Sequence, residues 1–146
     1  MKGLFATASI PRLAAAAALL PANASAVSAV GPLLRGHLAQ LAGDPAASLS
    51  AYREAVRTDP DSAELRSIAA RALASKRQLA PALELVEEGI QRAPDRWSLI
   101  LLKAKLLDAL GKKEEGIQTA RLAVAKGGGT EAYPSVVGML GSLGRV

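Results

Sequence analysis

Residues 41–62 read LAGDPAASLSAYREAVRTDPDS. The stretch opens with a stop and a start. Gly43 ends one run, Asp44 is an N-cap residue type, and Pro45 suits the first helical position, where its missing N–H is not needed. A helical run follows and meets Asp59-Pro60. Residues 93–96, APDR, place a second Pro-Asp pair after a second helical run. Pro60 and Pro94 lie 34 residues apart.

Other positions keep the same period. Gly36, Ala70, Ala104 and Gly138 form a small-residue column. So do Ser48, Ala82 and Gly116, and Ala55, Gly89 and Ala123. Leu49, Leu83 and Ile117 are apolar throughout, as are Val56, Ile90 and Val124. Gly43 and Gly111 share a column that Arg77 interrupts. Packing explains such columns: paired helices approach closely only where contact positions are small, and larger apolar neighbours fill the space beside them.

This pattern resembles the tetratricopeptide repeat, a helix-turn-helix unit of 34 residues. In the quoted stretch and just before it, Gly36, Tyr52, Ala55 and Pro60 stand where the family prefers glycine, an aromatic, alanine and proline. The second repeat keeps Ala82 and Pro94. The third keeps Gly111 and Ala123 but has Gly128 in place of proline, and Trp97 occupies its first position. The resemblance implies an all-α, tetratricopeptide-like helical-hairpin solenoid of about three and a half repeats, at residues 29–62, 63–96, 97–130 and 131–146. First helices are expected near 32–42, 63–76, 97–110 and 131–143, and second helices near 45–58, 79–93 and 113–126. Asp61 with Glu64 suggests a capping box, Pro81 fits a first turn, and Asp95 suggests a cap for the helix at Trp97.

The chain starts MKGLFATASIPRLAAAAALLPANASA. Lys2 and Arg12 are followed by an apolar run from Leu13 to Leu20, a helix-breaking Pro21 and the small-x-small triplet Ala24-Ser25-Ala26. These are the parts of a secretory signal. Residues 1–26 are therefore expected to be a signal peptide cleaved before Val27, leaving a repeat domain at 27–146. The product would be exported, or periplasmic in a bacterium; a mitochondrial presequence is the alternative. The apolar run is far shorter than the roughly 20 residues of a membrane span. Losing Lys2 and Arg12 lowers the formal charge from +5 to +3, a mild excess and no nucleic-acid signature.

Composition excludes much chemistry. There is no cysteine, so disulfides, thiolate chemistry and cysteine-bound zinc are out. His37 is the only histidine, which rules out a histidine-rich metal site. No cofactor motif is present; Gly127-Gly128-Gly129 lacks the G-K-S/T continuation of a phosphate loop and reads as a flexible joint. The pairs Glu87-Glu88 and Glu114-Glu115 read as solvated charge, because adjacent helical residues do not face each other. A non-enzymatic protein is expected. After Glu131 the end is free of acids and rich in apolar residues and glycine, as though the chain were cut from a longer array or met a partner there.

In the family, first helices line a concave groove. His37, Arg71 and Lys105 occupy one column of those helices, continued by Met139, with Leu33, Leu101 and Leu102 beside it. Such a row suits a carboxylate, a phosphate or an acidic peptide. It departs from the family's carboxylate-clamp members, whose asparagine is expected where Arg71 stands. The resemblance implies an interaction or scaffolding module of the cell envelope. Its protein or peptide partner would be held in the groove, at an apolar C-terminal helix that is also a candidate for self-association, or at both. Two alternatives stay open: the N-terminal part of a larger secretion or polysaccharide-export protein, and a binder of an anionic polymer. Nucleic acid is not expected, since four aromatic residues are few for base stacking.

Overall fold

The computed structural model describes residues 24–142. Among them the chain forms α-helices joined by short turns: α1 (Ala24–Leu41), α2 (Pro45–Thr58), α3 (Ala63–Ser75), α4 (Leu79–Arg92), α5 (Trp97–Ala109), α6 (Lys113–Ala123), a kinked link (Val124–Gly128) and α7 (Gly129–Ser142). The helices α1, α3 and α5 each pair with the even helix that follows, each pair stacks on the next, and α7 packs on the last pair. The fold is an all-α solenoid with a layer of first helices and a layer of second helices. No described helix is long and apolar enough to cross a membrane. Most of the expected signal peptide lies outside the described residues; its last three, Ala24 to Ala26, begin α1.

Three identical turns set the period. After α1 the N–H of Asp44 donates to the Ala39 carbonyl at 2.9 Å. After α3 Gln78 donates to Leu73 at 3.0 Å, and after α5 Lys112 donates to Leu107 at 2.9 Å. Donors and acceptors both recur every 34 residues. This bond closes a Schellman turn, which needs one left-handed residue just past the helix. Gly43 takes φ +75° and Gly111 takes φ +81°. Arg77 takes φ +64° at the same place. The interruption seen in the sequence is thus no change of structure: an arginine is held in a backbone conformation that costs a residue with a Cβ about 1–2 kcal/mol.

Through the first three repeats the small columns are the buried contacts, whereas Gly138, the fourth member of the first column, is exposed. Ala70, Ala104, Ala82, Ala55 and Ala123 are fully buried. Gly36 lies under the Tyr52 ring, where a Cβ would stand 2.7 Å from Cε1. The Tyr52 hydroxyl donates to Gln40 Oε1 at 3.2 Å, and Gln40 Nε2 donates to the Ala72 carbonyl at 2.6 Å. That chain ties the first repeat to the second. Burial pushes the Tyr52 phenol above its usual value. Leu73, Leu85, Leu99 and Val86 complete the main core. Each contributes about 1.5–3 kcal/mol by leaving water. The exposed ion pairs that cross the junctions, such as Arg53–Glu84 at 2.7 Å, contribute about 0–1 kcal/mol. Apolar columns therefore hold the stack, and charges trim it.

The structure corrects four local expectations. First, α1 begins at Ala24, ahead of residue 32, and carries Pro32 inside it. Second, Ser62 caps α3, accepting from the Leu65 N–H at 3.2 Å, while Asp61 pairs with Arg92 at 3.2 Å. Third, Asp95 does not cap α5; it pairs with Lys126. The pairs Asp61–Arg92 and Asp95–Lys126 are one repeat apart, so the period extends to the ion pairs. Fourth, the triple glycine is no open joint. Val124–Gly128 is a tight kink between α6 and α7: Gly127 takes φ +105°, outside any right-handed helix, and Gly128 is buried against Trp97. Finally, α7 packs on the third repeat through Ala132, Val136 and Met139.

Candidate functional site

On the first-helix face, α3, α5 and α7 enclose a recess of about 290 Å³. It is lined by Arg71, Trp97, Ser98, Leu101, Leu102, Lys105 and Glu131. Each wall has a local cause. Arg71 lies on the solvent side of α3, opposite the buried Ala69, Ala70 and Leu73. Lys105 follows the fully buried Ala104 on α5 and stays exposed. Trp97 starts α5 and is half-buried, packed with Ile100, Leu101, Ala123 and Ala132. Gly128 seats the indole from behind: a Cβ there would stand 2.9 Å from Trp97 Cε3 and 2.8 Å from the Ala123 carbonyl. The glycine that replaces the family's proline is what lets the third repeat hold a tryptophan at the groove.

The electrostatics separate this recess from its surroundings. Neither Arg71 nor Lys105 belongs to any ion pair among the described residues. A second cleft of about 260 Å³, on the second-helix side, holds Arg53, Arg57, Arg66, Arg92 and Glu88. Its cations are mostly engaged: Arg53 with Glu84, Arg66 with Glu88 at 3.3 Å, and Arg92 with Asp61. The first-helix recess therefore keeps cations available to a ligand, and the outer cleft mostly does not.

The expected column is only partly assembled. Arg71 and Lys105 meet in the recess with Leu101 and Leu102. His37 is exposed on α1 and does not line it, and Leu33 packs half-buried against the core. Met139 is buried with Ala104 and Ile117 in the last junction. Sequence reasoning missed Trp97, Ser98 and Glu131 as walls. Trp97 both packs the third repeat and walls the recess. Glu131 was visible only as the last acid before an apolar tail. No group of three or more metal-ligating side chains occurs among the described residues. At about 290 Å³ the recess sits at the lower limit of small-molecule sites, a size for one or two peptide side chains.

Comparison with known proteins follows the same line. Residues 39–106 match the tetratricopeptide repeat family model. No curated protein sequence matches the chain. Among solved structures, MamA aligns with a TM-score of 0.61 at 18% identity, over 80% of this chain and 69% of that one. The TPR2B domain of yeast Sti1, in complex with pHsp70, aligns at 0.59 and 20%, over 77% and 93%. The second TPR domain of human RPAP3, in complex with the HSP70 peptide SGPTIEEVD, aligns at 0.60 and 16%, over 79% and 97%.

Proposed function

We propose that the chain is a non-enzymatic interaction module that holds an acidic peptide segment of a partner protein in its first-helix groove: residues 39–106 match the tetratricopeptide repeat family model, and the helices around them continue the same two-layer stack. The observation that carries this reading is the pair of uncommitted cations, Arg71 and Lys105, beside the Trp97 ring and Leu101. An acidic side chain of the peptide takes the two cations; guanidinium offers two parallel N–H donors, and charged hydrogen bonds are about twice as strong as neutral ones. An apolar neighbour in the peptide lies on Trp97 and Leu101. Glu131 at the far wall accepts from a peptide N–H or a basic residue and repels a uniformly anionic polymer. The HSP70 peptide SGPTIEEVD in complex with the second TPR domain of human RPAP3 supports the class of ligand.

Mechanism here is recognition without bond chemistry. We further propose that the module works outside the cytoplasm, in the cell envelope if the source is bacterial, beginning at Val27. N-terminal sequencing of the protein from its native host would show Val27 first, whereas an intact Met1 start would remove that part of the proposal.

Trp97 is the only tryptophan, so its emission reports on the groove directly. Titration with a Leu-Glu-Leu-Glu-Leu peptide should shift that emission saturably. Arg71→Ala and Lys105→Ala should each weaken binding about tenfold or more, as expected for a charge-assisted contact. An unchanged affinity in both variants would defeat the reading. Binding that collapses with salt and needs only a uniformly anionic chain would favour the polymer alternative.

A further inference from the structure

Exposed apolar side chains are concentrated on one helix. On α1, Val27 is 62% exposed, Val30 59%, Leu34 56%, Leu38 55% and Leu41 66%. Single exposed leucines are ordinary; five in one stripe are not. The spacing puts all five on one side of the helix, three and four residues apart. Leu102 and Leu106 occupy the same columns as Leu34 and Leu38 two repeats later, and there both are buried. One repeat later Ile68, in the column of Leu34, is itself exposed, so burial at these columns is met only where a neighbouring helix covers them, and on α1 no described helix does. By contrast α7 buries its stripe on α5 and α6, leaving Tyr133 and Val137 as its exposed large apolar residues.

The stripe is symmetric. Val30 and Leu38 lie four residues to either side of Leu34, and Val27 and Leu41 lie seven to either side. We propose that α1 pairs antiparallel with α1 of a second copy, about a two-fold axis at Leu34. In that register Leu34 meets Leu34, Val30 meets Leu38 and Val27 meets Leu41, so every apolar residue finds an apolar residue. This is the self-complementarity an isologous interface requires. The polar residue nearest the seam, His37, faces Gly31, which has open space around it apart from Arg35 at 3.8 Å. A parallel pair would instead set His37 against His37. Arg35 is tied to Glu54 at 2.7 Å and leaves no bare like charge at the contact. From these exposures the stripe hides on the order of 500 Å² per copy, roughly 1,000 Å² in all, which reaches the lower limit for a specific interface. The stripe shares the first-helix face with the recess, since Leu102 in the column of Leu34 lines it, but no residue of α1 is among the recess walls.

The chain has no cysteine, which permits a clean test. Leu34→Cys in the full chain should give a disulfide-linked dimer under mild oxidation. Val27→Cys alone should not, but mixed with Leu41→Cys it should. Leu110→Cys, exposed on α5's end, is the control for random collision. Sedimentation should give a dimer of the 15.0 kDa chain at micromolar concentration. Leu34→Asp should raise the dissociation constant at least about a hundredfold, with helicity by circular dichroism unchanged. Leu34→Ala, milder still, guards against loss of fold. The proposal falls if Leu34→Cys cross-links no faster than Leu110→Cys, or if Val27→Cys links to itself. It also falls if Leu34→Cys is shielded from maleimide in a monomer, which gives the stripe to the chain's own first residues. Stripe-dependent binding of a monomer to phosphatidylglycerol vesicles would overturn it too.

Discussion

Arg66 and Arg71 sit five residues apart on α3 and show what the two sides of the solenoid are for. Arg66 is 3% exposed. Its guanidinium donates to the Pro60 carbonyl at 2.9 Å, to the Leu85 carbonyl at 3.3 Å and to Glu88 at 3.3 Å. It fastens the loop before its own repeat to the helix after it. Gly89 makes the room: a Cβ there would stand 2.7 Å from Arg66 Cδ. Arg71 lines the recess, exposed and in no ion pair among the described residues. The same residue type is fixed by structure in one place and left available in the other. The lesson is that positive charge alone does not mark a binding surface; positive charge without a partner does.

Three substitutions test that contrast. Arg66→Ala removes the guanidinium that ties the Pro60 carbonyl to Leu85 and Glu88 and opens a void beside Gly89. It should cost about 3 kcal/mol in denaturant unfolding, or about 10 °C in thermal midpoint. Little loss would mean that the loop has other anchors. Next, Arg77→Gly relieves the left-handed arginine at the one turn of three that lacks glycine. It should stabilise the fold by about 1 kcal/mol, measured the same way. Last, Arg71→Ala should change stability by less than about 0.5 kcal/mol while weakening peptide binding. If Arg71→Ala destabilised the protein as Arg66→Ala does, the distinction between the two arginines would be lost.

The architecture was legible because it repeats. Small columns at 34-residue spacing located every helix pair, and Asp44 caps α2 as read, accepting from the Ala47 N–H at 2.9 Å. Features that occur once were harder to see. Pro32, Ile100 and Pro134 stand where Arg66 has its equivalents, so no column announced a buried arginine. Asp61 and Ser62 are adjacent and both are capping types; the structure caps α3 with Ser62 and pairs Asp61 with Arg92. The groove was half legible. A column of first-helix residues found Arg71 and Lys105, which are neighbouring repeats on one face. It also took in His37, a repeat before the recess, and Met139, which turns into the last junction. Trp97 joins the wall through a contact with Gly128, which no spacing rule encodes.

The most direct measurement reverses the charge of the groove. Arg71→Glu/Lys105→Glu and the parent chain would be titrated, through Trp97 emission, with Leu-Glu-Leu-Glu-Leu and Leu-Lys-Leu-Lys-Leu. The parent should prefer the glutamate peptide by at least about tenfold, and the variant should prefer the lysine peptide, at an unchanged thermal midpoint. If both proteins kept the same preference, or if neither peptide moved the Trp97 signal, the first-helix groove would not be the binding surface.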